Sequence, residues 1–213
     1  MSQPDPYRRI ANFYDRFVEP MQSGVRSAAL QVLPPQPGWR VLDVGCGTGS
    51  GLLPYLEAGC EISGVDVSAA MLVQAAARLG ERADLHLIAP AGPLPTTDDQ
   101  FDLTITSMVL HEVPAEDRRE FLIEMSRVTK PEGRMLMVDF RFGPLRGWRG
   151  PLLRAATTVM ERFAGHHSGY RSFKAAGGTT AALDDAGLYM ESEKIVAGGN
   201  MGIYVVHPAA GVA

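Results

Sequence analysis

A chain of 213 residues, 46% hydrophobic and 21% charged, has one domain's length and the composition of a globular protein able to bury a core. Its net charge of -4 argues against nucleic acid as a partner. No run of about 18 apolar residues could span a membrane. The N-terminus lacks the basic and apolar regions of a secretory signal, and Cys46 and Cys60 stand outside any zinc-ligand or C-x-x-C spacing, so a cytoplasmic protein with core cysteines and no metal site is expected.

Tyr7, Ile10, Ala11, Tyr14, Phe17 and Val18 recur at helical spacing between Asp5 and Val18, and Glu19-Pro20 predicts the end of that helix. A second helix is predicted from Met21 to Leu33, stopping at Pro34-Pro35. Neither amphipathic piece could bury both faces alone, so residues 1–37 are expected to form a helical lid over the domain that follows.

Arg40 to Val44 reads as a buried strand running into a turn with Gly at 45, 47, 49 and 51, then a helix from about Ser50 to Glu57. Glycine permits positive φ and bare backbone against a ligand, and a following helix N-terminus offers unpaired N–H groups. The dinucleotide pattern G-x-G-x-x-G fails in both registers, because Ser50 and Leu52 occupy the positions of its third glycine; this disfavours a nicotinamide reductase. What stands there instead, Asp43-x-Gly45-x-Gly47-x-Gly49, resembles motif I of the class I S-adenosylmethionine-dependent methyltransferases. Asp43, Gly45, Cys46, Gly47 and Gly49 are therefore candidate contacts to S-adenosyl-L-methionine.

A second β/α unit follows, with Glu61 to Asp66 as strand, Ser68 as N-cap and Ala69 to Leu79 as helix. Asp66 ends its strand about twenty residues past the glycines, where a carboxylate can accept hydrogen bonds from both ribose hydroxyls; Val67 adjoins it. Asp84 to Ile88 reads as the third strand, followed by Ala89-Pro-Ala-Gly-Pro-Leu-Pro95. The resemblance implies an acid here for the adenine amino group, ahead of Leu94-Pro95 and Phe101-Asp102. Pro90 stands in its place, which leaves the backbone of Ala89 and Ala91 as the expected contacts.

Phe101 to Ser107 is a β-branched fourth strand whose carboxyl end carries Met108 to Val113, so Ser107 and its neighbours are expected to face the site. Leu110-His-Glu-Val113 is similar to a Leu-His-His-Val phrase of the family, with Glu112 in place of the second His. That makes His111 a candidate base or orienting donor. A helix from Ala115 to Thr129, opened by Pro114 and stopped by Lys130-Pro-Glu-Gly133, leads to a fifth strand, Arg134 to Asp139.

From Arg141 the pattern changes. Seven bases against the single acid Glu161 give residues 141–174 a charge of +6 and leave -10 for the remainder. Phe142, Trp148, Phe163, Tyr170 and Phe173 are interleaved among them. Residues 141–173 are expected to form part of an acceptor cap, with a helix from Pro151 to Phe163 and a loop from His166 to Tyr170. Such a segment can rest on an anionic membrane, bind an acidic substrate, or lay arginine stems over the core. A last helix, Ser172 to Ala186, precedes strands Tyr189–Val196 and Met201–His207, joined by Gly198-Gly-Asn200 as a hairpin.

Ile10-Ala-Asn-Phe-Tyr-Asp-Arg-Phe17 is similar to the opening helix of the ubiquinone and menaquinone C-methyltransferases, which makes Tyr14 a candidate lid residue. Together these resemblances imply a single α/β domain, 1–213: a Rossmann-like, seven-stranded, mostly parallel sheet with a C-terminal antiparallel hairpin strand and an N-terminal helical lid. The implied activity is methyl transfer from S-adenosyl-L-methionine to a small apolar or aromatic acceptor, quinone-precursor-like or lipid. His111, Tyr14 and Asp139 are the candidate catalytic residues. A non-catalytic S-adenosyl-ligand-binding or assembly subunit fits the same loop, peripheral contact with anionic membrane fits the basic segment, and a monomer and a homodimer are equally compatible with the chain.

Overall fold

The computed structural model describes residues 11–90, 92–148, 150–155, 157 and 167–209, with side chains from Gln22 onward except that of His167. Seven strands form one sheet in the order β3-β2-β1-β4-β5-β7-β6. They are β1 (Arg40–Val44), β2 (Glu61–Asp66), β3 (Ala83–Leu87), β4 (Phe101–Ser107), β5 (Thr129–Phe140), β6 (Met190–Val196) and β7 (Met201–Val206). Strands β1 to β5 pair in parallel; β7 is antiparallel to β5 and β6, as the hairpin signal predicts. The chain steps outward from β1 to β3 and then returns to lay β4 on the other side of β1. The connections leaving β1 and β4 therefore diverge, opening the crevice where α/β sheets bind ligands.

Helices that cover the faces include α1 (Ala11–Val32), α2 (Leu53–Glu57), α3 (Ala69–Leu79), α4 (Arg118–Val128), α5 (His167–Ala175) and α6 (Gly178–Ala186). Alternation along the strands sorts the core. Met135 and Met137 of β5 with Tyr204 and Val206 of β7 pack towards Leu122, Phe173 and Leu183 of α4, α5 and α6. Leu136, Val138, Ile203 and Val205 pack towards Ala29, Tyr55 and Leu79 of α1, α2 and α3. Each fully buried side chain of this size contributes about 1.5–3 kcal/mol. Asp43 follows Leu42 and precedes Val44, so it falls on the α1 side of β1, a point that matters for the site.

Several boundaries differ from expectation. Instead of ending at Glu19-Pro20, α1 runs unbroken for 22 residues. The proline removes one N–H donor and costs about 3 kcal/mol, but Val25, Ala28, Leu30 and Val32 are packed on the core and hold the helix. The helix expected from Ser50 begins only at Leu53, because Gly49 at φ +75 breaks the run before it. Pro114 opens a turn, with the Asp117 N–H donating to its carbonyl at 3.0 Å, and α4 starts at Arg118 rather than Ala115.

Strand β5 starts at Thr129 rather than Arg134, with a register shift where Phe101 opposes Thr129 and Leu103 opposes Arg134. Two fasteners draw in the extra residues: Thr129 Oγ1 lies 2.9 Å from Thr104 Oγ1, and Lys130 Nζ donates to Asp102 Oδ1 at 2.6 Å. The expected loop at 166–170 is helical from His167, and the single last helix is two, parted at Gly177 and Gly178 with φ of +95 and +73. Residues 150–155 begin the helix expected from Pro151; its residues 158–163 lie outside the described ones, as does most of the expected helix start at residues 5–10. Among the described residues, no helix is long and apolar enough to cross a membrane.

Candidate active site

The crevice at the ends of β1 and β4 holds a cavity of about 340 Å³. Gly45 and Gly47 line it from β1, Asp66 and Val67 from β2, Ala89 and Pro90 from the loop after β3, and Ser107 from β4. Gly45 and Gly47 have φ of +83 and +53, a region costly for any residue with a Cβ. A Cβ on Gly45 would run into Val109, while at Gly47 it would meet nothing within 4 Å. Gly47 thus presents bare backbone to the cavity.

Asp66 is held rigidly. Its Oδ2 accepts the Gly47 N–H at 2.8 Å and its Oδ1 the Ser68 N–H at 2.8 Å. Ser68 in turn caps α3, its side chain accepting the Met71 N–H at 3.1 Å, so the helix start and the carboxylate are positioned together. Each carboxylate oxygen keeps further acceptor capacity. Burial raises the Asp66 pKa, and the Ser68 and Gly47 N–H groups pull it down.

Asp43 lines a smaller neighbouring cavity of about 40 Å³ beneath α1, which shares Ser107 and Met108 with the large one. The side chain is 4% exposed, and its Oδ1 is buried without a hydrogen-bond partner. Cys46 and Gly49, also expected at the cofactor, line neither cavity. A Cβ on Gly49 would lie 2.8 Å from Leu79 Cδ1, and Cys46 Sγ fills the space a Cβ on Gly64 would need, 2.8 Å away. Gly49 thus serves the fit of the loop to α3, and Cys46 its fit to β2. Burial, then the Asp43 and Asp66 carboxylates, push the Cys46 thiol up, so it stays neutral.

His111 and Asp139 come together from β4's loop and β5, yet neither lines the described cavities. His111 Nδ1 lies 2.9 Å from Asp139 Oδ1, and its backbone N–H donates to Asp139 Oδ2 at 3.2 Å. Phe140 N–H also donates to Asp139 Oδ1, at 2.6 Å. The His111 ring meets Phe140 edge-on, centroids 4.6 Å apart, and is 2% exposed. Such a pair orients more readily than it abstracts a proton: it fixes the turn that carries Met108, Val109 and Glu112 into the cavity wall. Met108 sits at φ +61, a strained conformation for a residue with a side chain, pinned by its N–H donating to the Val138 carbonyl at 2.8 Å. The side chain of Tyr14 and all of Ala91 and His166 lie outside the described residues. Tyr170 is buried edge-on against Phe140 and Phe142, at 5.1 and 5.4 Å.

Sequence reasoning missed the far wall, where Phe121, Glu120 and Glu124 project from α4. The i, i+4 spacing of the two acids was the available signal. Arg26 in the small cavity was missed because its place depends on how α1 lies against the sheet. Among the described lining residues the large cavity carries four acids, Asp66, Glu112, Glu120 and Glu124, and no Lys, Arg or His; Glu124 is neutralised by Arg127, and the other three favour cationic ligands. The basic segment is split: Arg141 Nε donates to Glu193 Oε1 at 3.0 Å and Arg154 Nε to Asn200 Oδ1 at 2.7 Å, so both serve the fold. Arg146, Arg171 and Lys174 are exposed, as are Trp148 and Leu152.

Comparison with known proteins agrees with this geometry. A methyltransferase-domain family model matches residues 42–137, the span from β1 to β5. A demethylmenaquinone methyltransferase of Renibacterium salmoninarum is 37% identical over 63% of this chain and 56% of its own length. One of Beutenbergia cavernae is 29% identical over 96% of this chain and 88% of its own. The chain spans about half the length of the first curated relatives it matches, 56% and 53%. Among solved structures, a SAM-dependent methyltransferase from Aquifex aeolicus superposes with a TM-score of 0.65 at 18% identity, covering 96% of this chain and all of that one, which shows the shared fold.

Proposed function

With the chain built on a domain of the class I S-adenosylmethionine-dependent methyltransferases, we propose that it transfers a methyl group to a small, uncharged, apolar or aromatic acceptor of quinone-precursor type. The observation that carries this is Asp66, locked by two backbone N–H groups at the edge of a cavity beside the bare backbone of Gly47. That is the arrangement an adenosine needs: a fixed carboxylate for vicinal hydroxyls and close backbone approach. Asp66 would take the ribose, Val67 with Ala89 and Pro90 the adenine, and Gly45 and Gly47 the thread between adenosine and methionine. When bound, the cofactor supplies an electrophilic methyl on a positively charged sulfur.

The chain's own contribution is positioning, charge and exclusion of water. In-line displacement gains mainly from holding donor and acceptor in place, and the acidic wall suits a cationic donor. The same wall repels an anionic acceptor, which favours a neutral one. The names of the relatives support the quinone class. His111 and Asp139 act as orienting groups behind the wall, and Tyr14 is proposed as a lid residue over it.

Incubation with labelled S-adenosylmethionine and demethylated naphthoquinols, read by mass spectrometry, should yield a methylated quinol and S-adenosylhomocysteine. Cofactor binding without transfer to this panel or to any component of a host extract would overturn the catalytic reading. We also propose that the exposed Trp148, Leu152, Arg146 and Lys174 rest on anionic membrane, where such acceptors partition.

A further inference from the structure

We propose that Glu112 is the base that takes the proton a hydroxylated acceptor must lose, with His111 and Asp139 behind it as a relay. This rests on the methyl-transfer reading above and narrows its acceptor to one bearing an ionisable hydroxyl, a hydroquinol rather than a quinone. Glu112 stands on the turn after β4 and lines the large cavity, whose apolar Met108, Val113 and Phe121 suit an aromatic ring. Its side chain is 32% exposed, against 2% for that of His111, so of these two neighbours Glu112 is the one that can meet an acceptor.

Behind Glu112 the groups stand in sequence. Asp139 Oδ2 accepts the His111 backbone N–H and Oδ1 that of Phe140. Its carboxylate is thereby committed as an acceptor, so His111 Nδ1, 2.9 Å from Oδ1, carries the ring proton and donates it. That fixes the tautomer and leaves the Nε2 lone pair 3.8 Å from Glu112 Oε1, a gap of the kind that tightens to a hydrogen bond when substrate binds. The turn is held from two sides. Arg118 Nε donates to the Leu110 carbonyl at 3.3 Å, and a Cβ on Gly169 of α5 would stand 2.8 Å from the His111 carbonyl oxygen. The other acids of the wall are Asp66, Glu120 and Glu124. Asp66 is bound by two N–H groups and Glu124 by Arg127. Among the described residues, Glu112 alone of the four has an imidazole at its back.

The transfer balances as follows. The acceptor's ring carbon bonds to the methyl as the methyl's bond to sulfur breaks, and that electron pair stays on sulfur. The hydroxyl proton passes to Glu112 and can move on to His111 Nε2, where Asp139 stabilises the imidazolium. Loss of the hydrogen on the methylated carbon then restores the aromatic ring, and the hydroxyl regains its proton through Glu112. One proton leaves for each methyl gained. A quinone has no such hydroxyl proton to give.

Glu112→Gln keeps the shape of the side chain and removes the base. With a demethylated naphthoquinol it should lower kcat about 100-fold, with KM and S-adenosylhomocysteine affinity kept, and Glu112→Asp should recover part of the loss. The loss should shrink for nitro-substituted naphthols, whose hydroxyl is already ionised in solution. Without any turnover, nitrogen NMR of the ligand-free protein should show the His111 Nε2 resonance displaced in Glu112→Gln and Nδ1 unmoved. Equal losses for ionised and neutral acceptors would mean that Glu112 only shapes the wall. Full activity, or an unmoved Nε2 resonance, would remove it from the relay. Each of these results overturns the inference and leaves the methyl-transfer reading standing. Wild type that methylates none of the naphthoquinols would sink that reading and the inference with it.

Discussion

Asp66 is where the site and the fold meet in one side chain. Its two oxygens are held by Gly47 and Ser68, so Asp66→Ala removes the proposed ribose partner and leaves two N–H groups without their acceptor. Calorimetry with S-adenosylhomocysteine should show a loss of about 2–4 kcal/mol, roughly the sum of two charge-assisted bonds; unchanged affinity would strip Asp66 of its role. Asp43 predicts an unusual pH dependence. Burial first, and then Asp66, raise its pKa from 3.8 to about 7, so between these values the folded empty protein holds a proton that the unfolded chain has released. Stability from this group is therefore full below about pH 4, falls as pH rises towards 7, and is flat above, with an upper limit of about 4 kcal/mol. Asp43→Asn should remove that descent and stabilise the ligand-free protein at neutral pH, checked by the difference in denaturant midpoint between variant and wild type across pH 4 to 8. Asp66 and the glycines were legible in the sequence because spacing along strand and turn decides them. Arg26 was not, because its place depends on α1 lying against the sheet.

At the scale of elements, the loop between β3 and β4 is clipped to α4 by Arg127. Its Nη1 donates to the Thr96 carbonyl at 3.0 Å and its Nη2 to that of Leu94 at 3.3 Å. Glu124, paired with Arg127 Nε at 2.7 Å, accepts the Leu94 N–H at 2.9 Å. Since this loop carries Ala89 and Pro90 in the cavity wall, Arg127→Met should raise amide exchange across residues 89–98 and weaken ligand binding by about 1 kcal/mol; unchanged exchange would show the clip to be ornamental. Strands β2 and β4 and helix α3 lie where residue pattern puts them, because alternation, an N-cap and a glycine stop are local signals. The long β5, the unbroken α1 and the paired helices α5 and α6 were not legible. Threonine and lysine fasteners to β4, core contacts beyond Pro20, and a positive-φ pair of glycines decide those, and only tertiary structure brings the partners together.

For the whole molecule, charge is unevenly spread between the segment from Arg141 to Lys174 and the remainder. Arg141 and Arg154 are consumed by Glu193 and Asn200, which leaves Arg146, Arg171 and Lys174 exposed, as Trp148 is. Sedimentation with vesicles containing phosphatidylglycerol should therefore capture the protein at low salt and release it as ionic strength rises, and the triple change of these three bases to Gln should abolish capture. Capture of wild type and variant alike would leave the membrane contact without its electrostatic basis. The wall of Asp66, Glu112 and Glu120 has a kinetic corollary. In the proposed reaction a sulfonium would enter that negative field as a cation and depart from it as a neutral thioether, so transfer would switch off part of the attraction that brought the donor in. Spent donor should consequently be shed more readily than fresh donor is taken up, and added salt should narrow the gap between their affinities by weakening only the charged one.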